Sequence, residues 1–90
     1  MRYMPARNPA ISIYAQEALI GIGQTLRNRR RALGISAVTT AEAAGMSRVA
    51  LHRIEAGSPA VTVGALMNAA EALGLQPTPP QRLHARTINE

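Results

Sequence analysis

Apolar residues recur at intervals of three or four along most of the chain, which is the spacing of amphipathic helices. The first such stripe consists of Ile11, Ala15, Ala18, Leu19, Ile22, Leu26 and Leu33. Gly21 and Gly23 interrupt it, and a glycine inside a helix costs about 1 kcal/mol relative to alanine. We therefore predict a helix over residues 22–33, and the residues before Gly21 either continue this helix or form a separate segment.

A second helix is predicted after Gly34. Ser36 is a suitable N-cap, and Gly45 ends the helix after Ala44. Thr39 and Glu42 also have the spacing of a capping box, which would start the helix later. The sequence is compatible with both starting points.

Two further helices have clear caps. Ser47 begins a third helix that runs through Glu55, and Thr62 begins a fourth that ends at Gly74. The stripe expected to be buried on the fourth helix consists of Val63, Leu66, Met67, Ala70 and Leu73.

Both ends of the chain differ from this helical region. The first ten residues carry two prolines and two arginines, and three prolines follow the fourth helix. We therefore expect an N-terminal arm or helical extension over residues 1–19, a domain over residues 20–75 and a tail over residues 76–90.

Composition narrows the class of protein. The chain has 90 residues and no Phe or Trp, so its core must be aliphatic and thin. All ten basic residues are Arg and all five acidic ones are Glu, which gives a net charge of +5 and favours a polyanionic partner. No apolar run approaches the roughly 20 residues that cross a bilayer. We expect a soluble, cytoplasmic protein with no membrane partner.

The sequence offers few residues of the types that carry out catalysis. The chain lacks Cys and Asp, and His52 and His84 fall in separate segments. Gly21 and Gly23 do not form a dinucleotide fingerprint, because no strand clearly precedes them. We expect no enzyme activity, no cofactor and no metal site.

The segment over residues 40–57, TAEAAGMSRVALHRIEAG, has the features of two helices joined by a tight turn. Ala41 is small enough for two helices to cross closely, and Gly45 permits the tight turn. Ser47 caps the second helix, and Leu51 and Ile54 anchor it to the core. The segment resembles the helix-turn-helix of the phage repressor and Cro (XRE) family, and the resemblance covers roughly residues 20–75. It implies an all-α, lambda-repressor-like helix-turn-helix domain of four core helices, to which an extra N-terminal helical segment can be added.

The third helix separates two faces. At about 100° per residue, Leu51 and Ile54 fall on one side. The opposite arc holds Arg48, Val49, His52 and Arg53. Such an arc suits the major groove of double-stranded DNA, where Arg binds guanine and an apolar group meets the thymine methyl. The alternative is a merely solvated helix face.

The arginine run has more than one expected role. The resemblance implies that Arg30 pairs with Glu55 as a structural ion pair. Arg27, Arg29 and Arg31 would then be free, and Arg27 and Arg31 are the candidates for phosphate contacts. The alternative is that the run only solubilises the surface.

The helix starts are the other candidate phosphate sites. Members of the family commonly have Gln where this chain has Ala37, so that contact is missing. Backbone N–H groups at a helix start still bind phosphate. The residues assigned to this role are Ser36, Ala37, Thr39 and Ser47.

These observations favour a homodimeric repressor that binds a palindromic operator through residues 47–55. One alternative is an antitoxin that neutralises a partner toxin and represses its own operon. Residues 11–20 are expected to pair the subunits, because they carry more apolar surface than a lone arm should expose. The alternative is that they pack on their own domain as an extension of the first helix and leave dimerisation to the loop and end of the fourth helix.

Overall fold

The computed structural model describes residues 10–75, which contain four α-helices. They are α1 (Ile13–Ala32), α2 (Ala37–Ala44), α3 (Arg48–Glu55) and α4 (Val63–Ala72). No strand occurs in this range. The predicted all-α fold with four core helices is therefore confirmed. Residues 1–9 of the predicted arm and the whole predicted tail, including Leu83, His84 and Ile88, lie outside the described residues.

Each helix begins with a hydroxyl side chain that accepts a hydrogen bond from the backbone N–H three residues later. The four caps are Ser12, Ser36, Ser47 and Thr62. Such caps satisfy one of the orphan N–H groups at a helix start. Helix α2 begins at Ala37, so Ser36 sets its start and the later capping box does not.

Helix α1 is continuous through both glycines and extends the predicted helix back to Ile13. Its buried positions are also displaced from the predicted stripe. Gly23 and Leu26 are buried, whereas Ile22 and Leu33 are 42% and 45% exposed. The reason is that α1 packs against the end of α3 at the position of Gly23, where the absence of a side chain allows close approach.

The core is small and aliphatic. Its buried members are Leu26, Ala41, Leu51, Ile54, Ala69 and Leu73. Helix α2 packs on both α3 and α4, and α1 packs on α3. This arrangement holds α3 against the body of the domain along one side only.

The buried stripe predicted on α4 is partly wrong. Val63 and Met67 are 70% and 43% exposed, while Ala69 is completely buried. Leu66 and Ala70 are half-buried and pack on the core, as does Leu75 after the helix. Because Ala69 is small, α4 lies close to its neighbours on the side of this residue. Val63 and Met67 are therefore directed toward solvent.

Thr40 occupies the centre of α2 and is almost completely buried. Its Oγ1 donates a 3.0 Å hydrogen bond to the Ser36 carbonyl oxygen. A buried hydroxyl without a partner is costly, and this bond removes that cost. A polar residue is thereby accommodated inside the small aliphatic core.

Within residues 10–75, no helix is both long and apolar enough to span a bilayer.

Candidate nucleic-acid interface

Helices α2 and α3 are joined by a tight turn at Gly45. This glycine has a φ of 70°, in the left-handed region that residues with a side chain rarely adopt. The Met46 N–H donates a 2.9 Å hydrogen bond to the Ala41 carbonyl oxygen, which closes the turn. Ser47 then caps α3, so the second helix of the pair starts immediately after the turn.

Helix α3 has one buried and one exposed face. Leu51 and Ile54 are only 1% and 2% exposed and fix the helix to the core. Four side chains of the opposite arc are exposed: Arg48, Val49, His52 and Arg53. The structure therefore brings the four candidate base-contacting residues together on one accessible surface, with two guanidinium groups among them.

A groove runs between α3, the C-terminal half of α1 and the start of α2. Arg27, Ala37, Arg48, Val49 and His52 all contribute to its lining. The groove thus combines basic and apolar side chains, and the acidic Glu55 also lines it. Arg27 is the member of the arginine run that lies beside the exposed arc and is itself exposed.

Arg30 and Glu55 form a bidentate ion pair. Arg30 Nε lies 2.8 Å from Glu55 Oε2, and Nη2 lies 3.0 Å from Oε1. The third arm of the guanidinium donates a 3.2 Å hydrogen bond to the Ile35 carbonyl oxygen. The hydrogen bonds that Arg30 donates to Glu55 raise the pKa of Arg30 above its ordinary value, against the opposing effect of burial. The pair joins α1, the loop that follows it and the last turn of α3.

Arg29 is not free, which corrects the sequence-based expectation. Its Nε donates a 3.0 Å hydrogen bond to the Leu73 carbonyl oxygen at the C-terminus of α4. A cation at a helix C-terminus also interacts favourably with the helix dipole. Its acceptor is a backbone atom 44 residues away, so the sequence contains no local signal for this role.

The N-terminal half of α1 contacts Gly57 just after the end of α3, which agrees with the alternative that residues 11–20 pack on their own domain. Gln16 Nε2 donates a 2.8 Å hydrogen bond to the Gly57 carbonyl oxygen. Gly57 is buried with a φ of 79°, and a Cβ at this position would lie 2.6 Å from the Ile20 Cα. The first turns of α1 therefore hold the chain where it leaves the exposed helix.

The start of α2 is the other candidate phosphate site. Ser36 Oγ accepts from the Thr39 N–H and donates to Thr39 Oγ1, both at 3.0 Å. Ser36 and Thr39 are exposed, as is Ser47 at the start of α3, whereas Ala37 is half-buried. Because the first N–H groups of a helix lack intrahelical acceptors, both helix starts offer donors to an anion.

A metal centre built from three or more His, Asp or Glu side chains is not found within residues 10–75.

Comparison with known proteins gives one family assignment. The family described as "Helix-turn-helix domain" matches residues 22–83, which include α2, the turn and α3. A search of the curated proteins found no match. The family match begins after Gln16 and Ile20, so the contacts of these residues with Gly57 belong to the part of α1 that precedes it.

Proposed function

Because the chain belongs to the helix-turn-helix domain family and is a DNA-binding protein of that type, we propose that it is a sequence-specific transcriptional regulator of the phage repressor and Cro (XRE) kind. The observation that carries this proposal is the two-faced helix α3. Its apolar side is buried through Leu51 and Ile54, while two arginines of the other side are exposed. A helix held in this way can enter the major groove and contact base edges.

Two sets of contacts have different roles in the proposal. The base-contacting set is Arg48, Val49, His52 and Arg53. The phosphate-contacting set is Arg27, Arg31, Ser36, Ala37, Thr39 and Ser47. Phosphate contacts position the domain on DNA, and base contacts provide the sequence preference. The net charge of +5 supports binding to a polyanion.

The protein is proposed to act as a homodimeric repressor on a palindromic operator. One short helix contacts few base pairs, and a two-fold pair of helices doubles the site. An apolar surface that suits pairing is exposed near the start of α1, where Ile13, Tyr14 and Ile20 are 70%, 81% and 47% exposed.

An antitoxin is the second candidate function. The same apolar surface favours it, since a toxin partner would need a docking site of this kind outside the DNA-contacting face. The two candidates differ in their partner. Co-expression with the product of an adjacent gene would yield a stable complex for an antitoxin and none for an independent repressor.

The proposal is tested by selecting binding sites from random duplex DNA and measuring affinity by fluorescence anisotropy. Replacing Arg48 or Arg53 by Ala should relax base preference by about 1–3 kcal/mol at particular positions, because a bidentate arginine–guanine contact contributes that much. Thermal unfolding of each variant checks that the fold is retained. An unchanged base-preference profile for both variants would remove these residues from the base-contacting face.

A further inference from the structure

Val49 is an exposed apolar side chain surrounded by polar ones. It is 57% exposed and lies on the same arc as Arg48 and His52. Ala37, at the start of α2, lines the same groove. Residues of two helices with aliphatic side chains therefore line a single groove, to which Arg27 and Arg48 and the ion pair of Arg30 and Glu55 also contribute.

The chemistry of the major groove limits what such an apolar surface can contact. Base edges there present hydrogen-bond donors and acceptors, and the C5-methyl group of thymine is the apolar exception. A cytosine methylated at C5 presents the same group at the same ring position. Because Val49 has no side-chain donor or acceptor, it contributes nothing that separates the O4 of thymine from the amino group of cytosine.

We propose that Val49 and Ala37 form a binding site for the 5-methyl group of a pyrimidine, beside a guanine contacted by Arg48. This inference rests on the proposed function and goes further, because it makes operator affinity sensitive to one methyl group. The 5-methyl group then contributes equally whether thymine or 5-methylcytosine carries it, and unmethylated cytosine is bound more weakly than 5-methylcytosine. Where an operator has cytosine at this position, its methylation at C5 would raise the affinity of the protein.

The first experiment replaces each thymine of the selected duplex by deoxyuridine, which removes the methyl group and leaves base pairing unchanged. We expect one thymine in each half-site to lose roughly fourfold in affinity, since burial of one carbon group contributes about that factor. Val49→Ala should bind the thymine and deoxyuridine duplexes equally at that position. Val38→Ala is the matched control: Val38 is 43% exposed at the start of α2 and is not among the groove-lining residues. It should keep the full difference.

The second experiment places cytosine or 5-methylcytosine at the same position. Wild-type protein should prefer the methylated duplex by a similar factor, and Val49→Ala should not. Sequence-specific binding that tolerates deoxyuridine everywhere would overturn the methyl site and leave the proposed function standing. A methyl preference that survives in Val49→Ala would overturn the assignment to this side chain. Failure of the wild-type protein to select any DNA sequence would overturn the proposed function itself.

Discussion

Gly23 of α1 lies directly against the backbone of Ile54 in α3. A Cβ atom at position 23 would be 2.5 Å from the Ile54 carbonyl oxygen and 2.6 Å from that of Glu55. Real Cβ contacts with a backbone oxygen are longer, so a side chain at this position would displace one of the two helices. The glycine therefore sets how closely α1 approaches the exposed helix.

Gly23→Ala should destabilise the protein by about 1–3 kcal/mol, because overpacking at this contact outweighs the better helix propensity of alanine. Chemical denaturation measures the free energy of unfolding. Gly21→Ala is the matched control on the same helix, since nothing lies within 4 Å of its added Cβ. It should stabilise the protein by up to about 1 kcal/mol. Equal effects of the two substitutions would show that the contact with Ile54 does not matter for stability.

Arg30 and Glu55 should be energetically coupled. Both side chains are largely buried, at 15% and 9% exposed, and they share two hydrogen bonds. Arg30→Ala and Glu55→Ala should each destabilise the fold, and the double variant should lose roughly 2 kcal/mol less than the sum. Additive losses in the denaturation cycle would mean that the two groups do not stabilise each other.

The pH dependence of this coupling follows from the raised pKa of Arg30. A cation with a raised pKa contributes stability that is fully present below its ordinary pKa and is lost only as the pH rises through the higher folded value. The contribution of Arg30 should therefore be constant between neutral and mildly alkaline pH.

Arg27→Ala should weaken binding to all DNA sequences alike. Arg27 lines the groove beside α3 without belonging to that helix, which favours a phosphate contact. The slope of log affinity against log salt should fall by roughly one, and Arg31→Ala should have the same effect. Gln24→Ala, an exposed uncharged position on α1, serves as the control and should leave the slope unchanged. A loss confined to particular base pairs would instead make Arg27 a base-contacting residue.

Helices α2 and α3 could be predicted closely because their limits are local. Ser36, Gly45 and Ser47 stop or start a helix through bonds to residues within four positions. The length of α1 could not be derived in this way. Its two glycines argue against a continuous helix by propensity, and the contact of Gly23 with α3 becomes visible only in three dimensions.

The same distinction applies to the candidate site. The exposed arc of α3 follows from helical periodicity, which separates Leu51 and Ile54 from the polar residues. The hydrogen bonds from Gln16 to Gly57 and from Arg29 to Leu73 do not follow from helical periodicity, because both acceptors are backbone carbonyls more than 40 residues away. Side chains that bind distant backbone atoms leave no pattern in the sequence.

The proposed pairing of subunits through the start of α1 leads to a prediction about oligomeric state. Ile13→Ser combined with Tyr14→Ser should convert a dimer into a monomer, measured by light scattering across a concentration series. These side chains are 70% and 81% exposed, so their replacement should leave the fold of the subunit intact. Val63→Ser is the matched control, because Val63 is also 70% exposed but lies on α4. It should remain dimeric, and so should a protein that lacks residues 81–90.

The variants also show where the interface lies if this assignment is wrong. Dissociation of the Val63 variant alone would assign the interface to α4, and dissociation after the deletion would assign it to the tail. A wild-type protein that stays monomeric at every concentration would contradict the dimer itself.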